Sequence, residues 1–560
     1  MLLAARSAVA LYRLLDVLPA LSGDDRLTRL FTLVPGSDFG PGVLSAIDRV
    51  GGRVIPWSEA CARTHDLVVA ASPKGELSLL RGPHVLLPHG AGYNKSIPGE
   101  GSADSASGLD PAHLLRADGD APLGLHAVAH PDQLARLSTL GRWASGRARV
   151  VGDPTLERVL ASRPLRDRYR AALGTGPRTL LVLASTWGPE SLLSQRPGLP
   201  VELATRLPHD EYQVALVVHP NEHSRLGGYE LNERLAPALE AGLVLAAPHE
   251  EWASLLVAAD ALVTDHGSTA LYYCAAGDRP IVSAPHGGTE LIPGSPMHTL
   301  LRRIPRLEPP ETAGAAGTVA AVAEALDAYR PGPGREAAEA AFACQGDALD
   351  RLRTEVYALL GLEPPPLANP VRPLPSPTRP GRGPVAFDVH AEVAPDGVRL
   401  ARRALGDTPG HHLAVEYGAA SEPLTRSAGL LFLRPVNSSV SRAELAWTPE
   451  GWTEHALAAC PGCRTAAAIL PSGHCLLRVR GHPRPYVVRA EPRREGGRTA
   501  RADPAAAASA AHAWLVAHGA TPTAPVRLEC HLGERAYRLV LRPVGAGPED
   551  PSECPSPHSG

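Results

Sequence analysis

Lysine is almost absent from this chain. Of 55 basic residues only Lys74 and Lys95 are lysines, and arginine supplies the rest. With 4% aromatics and abundant Ala, Gly and Pro, this is the residue usage of a GC-rich coding sequence. An arginine here therefore carries little information, and a retained lysine carries more. Cysteine is sparse as well: eight in 560 residues, too few for a disulfide scaffold. The apolar stretch Met1–Ala20 is broken by Arg6, Arg13 and Asp16, whereas a bilayer span takes roughly 20 uninterrupted apolar residues. It reads instead as a short strand, Leu2–Ala5, and an amphipathic helix from about Ser7 to Leu21. No secretory signal precedes it, and a cytoplasmic location is expected. A net charge of −3 creates no global field for nucleic acid or anionic lipid. No nucleic-acid partner is expected, and only a local patch can serve peripheral membrane association.

Several motifs are missing too. No Gly-x-Gly-x-x-Gly follows a strand, no Walker loop is present and no Gly-x-Ser-x-Gly elbow occurs. His249-Glu250-Glu251 lacks the second histidine of a zinc-protease helix. No metal or organic cofactor is expected for the main reaction.

What is present is a globular composition, 44% hydrophobic and 20% charged. Up to about residue 360, short Val/Leu-rich runs alternate with stretches of helical spacing. Expected strands are Leu2–Ala5, Arg29–Val34, Arg53–Pro56, Leu67–Ala71, Val85–Leu87, Ala127–Ala129 and Val150–Val151. A second series follows at Thr179–Ala184, Gln213–Val218, Leu243–Ala246, Ala261–Thr264 and Pro280–Ser283. Such alternation predicts parallel sheets covered on both faces. The series is too long for one doubly wound sheet, so the expected fold class is α/β with two Rossmann-like lobes plus a C-terminal α+β domain.

The first lobe is expected over residues 1–150 and the second over 151–362, where helices in 318–361 should close it. A Pro-rich linker follows over 363–384, then the α+β domain over 385–545 with one Ala-rich helix, Pro504–His518. A disordered tail is expected over 546–560.

Chemistry concentrates where strands of the two lobes end. Thr264-Asp265-His266-Gly267-Ser268-Thr269 reads as a strand, a tight turn and a helix start. The unpaired N–H groups and partial positive charge there suit a phosphate. The alternative is a plain N-cap by Asp265 or Ser268. His219-Pro220-Asn221, Ser185-Thr186-Trp187 and His89-Gly90-Ala91-Gly92-Tyr93-Asn94-Lys95 stand at the ends of three other strands.

In order and approximate spacing, these stretches resemble the CDP-glycerol glycerophosphotransferases (teichoic-acid polymerases and primases). The matching residues are His89-Gly90 with Lys95, Gly152-Asp153-Pro154, Ser185-Thr186-Trp187, His219-Pro220, the Thr264–Thr269 turn and Asp278-Arg279-Pro280-Ile281. The resemblance spans residues 85–285 and implies a GT-B fold with the acceptor on the first lobe and the nucleotide donor on the second. It implies that His89 takes the proton of the acceptor hydroxyl. His219, Ser268 and Thr269 would hold donor phosphates, with Asp265, Gly267, Ser185 and Thr186 on the same donor side, and Gly90 and Lys95 on the acceptor side. The implied function moves glycerophosphate or a sugar from a nucleotide-diphosphate donor to a hydroxyl of a cell-envelope polymer or glycoside.

His266-Gly267 stands where that family has Tyr-Ser. The same pattern is similar to UDP-N-acetylglucosamine 2-epimerases, although Ala270-Leu271-Tyr272 follow where that family has acidic residues. A nucleotide-binding GT-B protein without activity is the third reading.

In the C-terminal part, Cys460, Cys463, His474 and Cys475 form a nominal zinc set. Eight arginines between Arg478 and Arg501 suggest a solvated face, or one that meets a phosphate polymer or lipid.

Overall fold

The computed structural model describes residues 1–36, 40–88, 90, 91, 93–96, 123–140, 146–247, 250–284, 289–308, 310–366, 371–378, 381, 383–404, 410–435, 447–519 and 521–545. His89 and the 546–560 tail lie outside them.

Strands β1 (Leu2–Ala5), β2 (Leu30–Leu33), β3 (Val68–Ala70), β4 (His84–Leu86), β5 (Leu123–Val128) and β6 (Ala148–Val150) form one parallel sheet, in the order β2-β1-β3-β4-β5-β6. The expected strand at Arg53–Pro56 is reduced to one parallel bridge, Val54 to Phe31, on the outer side of β2. The two-residue period of a strand divides the sheet between two cores. Leu3, Ala5, Phe31, Val69, Val85 and Leu125 meet Leu11 and Leu14 of the helix Ala8–Val17. Leu2, Ala4, Val68, Ala70 and Leu86 meet Ile55 and Leu80 on the other face. The helix Ala348–Leu360, expected to close the second lobe, packs on this first sheet through Leu352, Val356 and Tyr357. The chain thus crosses back after the second sheet is complete.

The second parallel sheet contains β7 (Thr179–Ser185), β8 (Tyr212–Val218), β9 (Val244–Leu245), β10 (Ala261–Thr264) and β11 (Ile281–Ser283), in the order β11-β10-β7-β8-β9. Its first strand is central, with the next two on one side and the last two on the other, the doubly wound order. Both of its faces are buried.

The C-terminal part is a closed barrel. Its strands are β12 (Ala386–Ala394), β13 (Gly397–Ala404), β14 (His412–Glu416), β15 (Leu430–Leu433), β16 (Thr465–Ile469), β17 (Cys475–Val479) and β18 (Tyr486–Ala490). After a small hairpin of β19 (Arg493–Glu495) and β20 (Arg498–Ala500), β21 (Val526–Leu532) and β22 (Arg535–Pro543) complete it. The helix Pro504–His518 has every residue from Ala505 to Leu515 buried, and it shares one core with inward residues such as Val389, Leu400, Leu477, Val488 and Leu539. It fills the barrel. A barrel of nine strands has room for a backbone helix only if its side chains are short, and the run of alanines meets that condition. The expected α+β domain is therefore a barrel wound around its helix.

The barrel is anchored to the second sheet by Arg402. This fully buried side chain donates to Asp210, in the turn before β8, at 2.6 and 2.8 Å and to Asp503, the N-cap of the inner helix, at 2.8 Å. The Pro-rich segment is also not a free linker. Leu374 N–H donates to Ser162 Oγ at 2.8 Å, Tyr169 OH donates to the Leu374 carbonyl at 2.7 Å, and Arg158 donates to the Arg372 carbonyl at 3.0 Å. Over 371–378 the chain is strapped to the second sheet's helices. Among the described residues no helix is long and apolar enough to cross a membrane.

Candidate functional site

Both sheets present their strand C-termini to one cavity of ≈ 420 Å³. It is lined from the first sheet by Arg6 and Ser7 after β1, Ser72 to Lys74 after β3, and Pro88, Gly90 and Lys95 after β4. From the second sheet come Ser185 to Trp187 after β7, His219 after β8 and His266 to Thr269 after β10.

Of the residues singled out from sequence, Gly90, Lys95, Ser185, Thr186, His219, Gly267, Ser268 and Thr269 all border this space. His89 lies outside the described residues, although its neighbours Pro88 and Gly90 line the wall. The two lobes come close here: a β-carbon on Gly90 would sit 3.3 Å from Ser268 Oγ. Only a glycine lets the β4 loop approach that turn without displacing the hydroxyl.

Asp265 is the exception. It is 1% exposed and does not line the cavity; its carboxylate accepts the backbone N–H groups of Thr186 and Leu192 at 2.8 Å and of Gly267 at 2.9 Å. It locks the turns after β7 and β10 together rather than facing a ligand.

The helix that follows, Thr269–Ala276, starts at Ser268 with no side-chain cap hydrogen bond. The plain-cap alternative for Ser268 is therefore not realised, and Ser268 and Thr269 stand at the cavity wall, while the Ala270 and Leu271 N–H groups already donate to the Gly267 and Ser268 carbonyls at 3.2 and 3.0 Å. His219 caps the helix Pro220–Glu240, with Nδ1 accepting the Asn221 N–H at 3.1 Å. A neutral ring so used carries its proton on Nε2, which makes that nitrogen a donor. Trp187 lies 6.3 Å from the His219 ring, and Lys95 Nζ stands 5.6 Å from the Trp187 ring centre.

Lys95 Nζ and His266 Nε2 both lie 3.1 Å from the same oxygen, Glu290 Oε2. Burial opposes ionisation of Glu290, but the hydrogen bond from His266 and the charge of Lys95 outweigh it and hold the carboxyl at about 2. Glu190, His266 and Glu290 bring ligand atoms within 4.8 Å of one another, the one such metal-sized group among the described residues. The Lys95 ammonium already supplies a cation to it.

Sequence reasoning missed Arg6, Arg13, Lys74 and Arg158, which also line the cavity. Arg158 pairs with Asp16 at 2.5 Å and Glu250 at 2.8 Å, and Arg13 lies 5.0 Å from the Tyr272 ring centre. Five cationic side chains (Arg6, Arg13, Lys74, Lys95, Arg158) line the cavity with two carboxylates (Asp16, Glu250), and two more, Asp153 and Glu290, pair with Arg13 and Lys95 from behind the wall. The lining thus gathers guanidinium and ammonium donors in a chain of net charge −3. The signal was the lysine census: both lysines of the whole chain are at this one cavity.

The nominal zinc residues do not converge. Cys475 faces the barrel core, and its thiol donates to the Pro504 carbonyl at 3.3 Å. Cys460 and Cys463 belong to the layer outside the barrel, where the Cys463 thiol donates to the Thr465 carbonyl. Part of the arginine run is structural: Arg480 donates to the Cys463 carbonyl at 3.1 Å and Arg478 to Glu454 at 2.8 Å.

No protein-family model matches the chain, and no curated protein sequence matches it. Among solved structures it is similar to the wall teichoic acid polymerase TagF, at 12% identity over 64% of this chain and 88% of that one, with a TM-score of 0.42. It is also similar to Anabaena Alr3699/HepE in complex with UDP and glucose (13% identity, 64% and 99% covered, TM-score 0.36). A third is S. aureus MnaA with UDP (11% identity, 66% and 98% covered, TM-score 0.41). Likeness at this level assigns neither a family nor a role to any residue.

Proposed function

We propose that this chain is a transferase of the GT-B kind that uses a nucleotide-diphosphate-linked donor. It would move a glycerophosphate or sugar to a hydroxyl of a cell-envelope polymer or small glycoside. The observation that carries this reading is the cavity, rich in arginine and lysine, onto which the strand ends of both sheets open, with a helix start at Ser268–Thr269 that has no side-chain cap on one wall.

In this reading the donor's diphosphate lies against the second lobe. Ser268, Thr269 and the His219 Nε2–H donate to its oxygens, and Ser185 and Thr186 complete that wall. The acceptor enters from the first lobe along Gly90 and Lys95. As the acceptor oxygen bonds to the transferred phosphorus or carbon, its proton passes to His89, and the bond to the nucleotide phosphate breaks. The charge that develops on the leaving nucleotide is met by the helix N-terminus and the hydroxyl donors. Histidine suits the base because its ordinary pKa lies near neutrality.

The test is incubation of the full chain with CDP-glycerol and with a panel of nucleotide sugars, each with a hydroxyl acceptor. Release of CMP or nucleoside diphosphate together with a modified acceptor supports transfer. Inversion of the sugar without an acceptor would replace this reading by an epimerase. Nucleotide binding without turnover would replace it by a binding protein.

A further inference from the structure

The β4 loop is held to the second lobe by contacts that need no charge. Residues 94–96 are tied to residues 290–297 by two backbone hydrogen bonds, an antiparallel bridge from Lys95 to Leu291, and a bond from the Met297 N–H to Asn94 Oδ1. From the other direction Glu190, after β7, accepts the N–H groups of Thr289 and Glu290 at 3.3 Å. The backbone that carries Glu290 is therefore fixed on both sides, and the Glu290 carboxylate is not required to hold it.

What that carboxylate does is gather two donors on one oxygen. Glu290 Oε2 takes Lys95 Nζ and His266 Nε2, each at 3.1 Å. The His266 side chain is fully buried, so it fixes the carboxylate from the protein side. Lys95 is the partly exposed partner, and it lines the cavity. An ammonium has three N–H donors. One is spent on Glu290, which leaves the others for a ligand. A buried ion pair adds little to stability over a neutral pair of the same shape, so stability alone does not account for this one. Nor does residue usage, since arginine is the ordinary cation of this chain and Lys95 is one of two lysines. An ammonium on a flexible stem must be aimed, whereas a guanidinium brings its own fork of donors. Lys95 is aimed at the second-lobe wall: its Nζ lies 5.6 Å from the Trp187 ring centre, and that ring lies 6.3 Å from the His219 ring.

We propose that Glu290 is a positioning residue: it holds the Lys95 ammonium at the second-lobe wall, where Lys95 meets the outer phosphate of the donor, the one farther from the nucleoside. The phosphate contact rests on the transferase reading above; the hold on Lys95 rests on the geometry of Glu290. In glycerophosphate transfer the outer phosphate is the group attacked, and in sugar transfer it is the group that leaves. Either course puts negative charge where an aimed ammonium can meet it.

Two measurements on the full chain test this. The first needs no nucleotide: with only Lys74 and Lys95 in the chain, trace acetylation by acetic anhydride, read by peptide mass, follows each lysine against the other. An ammonium tied to a carboxylate is a poor nucleophile, so Lys95 should react at least threefold faster in Glu290→Gln while Lys74 is unchanged. The second is calorimetry with CMP and CDP, which differ by the outer phosphate. Lys95→Met should weaken CDP at least tenfold and CMP less than twofold. Glu290→Gln should weaken CDP at least threefold with the same selectivity. The double variant should bind CDP no more weakly than Lys95→Met alone, because Glu290 acts through Lys95. A residue that merely braced the fold would lower both affinities together. Glu290→Asp, whose carboxylate is withdrawn by one carbon, is the second variant and should also weaken CDP selectively. Unchanged Lys95 reactivity, equal losses for CMP and CDP, or losses that multiply in the double variant would each overturn the proposal. Faster acetylation of Lys95 in Glu290→Gln, in a chain that binds neither nucleotide, would uphold the hold on Lys95 and overturn the phosphate contact together with the transferase reading.

Discussion

Removal of the Asp265 carboxylate separates a turn clamp from a ligand contact. The side chain accepts three backbone N–H groups, from Thr186, Leu192 and Gly267, at 2.8 to 2.9 Å in a fully buried setting. In Asp265→Ala all three donors lose a charged acceptor, and each buried donor left unmet costs about 1–3 kcal/mol. Partial relaxation and water entry reduce the sum, so a local loss of about 3–5 kcal/mol is expected. Asp265→Asn keeps the shape but has one oxygen where two are used, and should lose about half as much.

The assay is amide hydrogen exchange at these positions in the folded protein, because a chain of several packed units gives no single unfolding free energy. A loss of 3 kcal/mol corresponds to exchange faster by about two orders of magnitude wherever local opening limits it. The effect should be confined to the turns after β7 and β10 and should be equal with and without nucleotide. If Asp265→Ala left these amides protected but abolished nucleotide binding, the clamp would be the wrong description and a direct ligand contact the right one.

Four further outcomes are expected. Ser268→Ala should weaken nucleotide affinity by roughly tenfold, the loss of one charge-assisted hydrogen bond, with an unchanged melting temperature because Ser268 makes no capping bond; calorimetry and a thermal scan check both halves. His89→Ala should abolish turnover and leave nucleotide affinity intact, as read from product release and binding in the same preparation. The Glu290 carboxyl lies at about 2 in the folded chain against an ordinary 4.5. Its contribution to stability is therefore full above the unfolded value and lost as pH falls through the folded one. Acid scans should show wild type losing stability between about pH 4.5 and 2 more steeply than Glu290→Gln. Arg402→Ala leaves the partly buried Asp210 and Asp503 without their shared partner, although Asp503 keeps Arg434 at 3.0 Å, and a loss of about 2–3 kcal/mol is expected, below that of a fully buried pair. Limited proteolysis should then cut between the second sheet and the barrel, while the double variant with Asp210→Ala should recover part of the loss.

Much of the parallel-sheet part was legible because its physics is local. Val/Leu runs bounded by Gly and Pro fixed where strands lie, and the observed β7, β8 and β10 fall within a residue or so of their expected limits. The helix Pro504–His518 was likewise marked by Asp503 before a proline and by Gly519 at its end in the left-handed conformation. Barrel closure was not legible. Phe387, Val389 and Ala391 alternate with Asp388, His390 and Glu392 in plain view, but nothing in a single strand says that β12 pairs with both β13 and β14 or that the ring closes around an alanine helix. The site divides the same way. Residues at strand ends could be found, whereas the buried role of Asp265 and the strap through Leu374 depend on contacts across 73 and 212 positions of chain. Arg6 was read as an interruption of an apolar run, because its place at the cavity wall appears only when the strand ends are brought together.

The β4 loop complicates any division of labour by lobe. It leaves the first sheet, yet it is pinned to the second. The Ser96 N–H donates to the Glu290 carbonyl at 2.8 Å, the Ile292 N–H donates to the Asn94 carbonyl at 2.9 Å, and Lys95 bridges antiparallel to Leu291. Asn94, 5% exposed, adds its side chain: Oδ1 accepts the Met297 N–H at 3.1 Å and Nδ2 donates to the Ala91 carbonyl. Any hinge motion between the sheets must therefore break these bonds, each costing about 1 kcal/mol or more where buried, or carry Asn94 to Ser96 along with the second sheet. On opening, Lys95 should then travel with His266 and Ser268, and Arg6 and Lys74 should move away from them as a unit. The cavity wall is thus divided at the β4 loop rather than along the sequence boundary between the lobes.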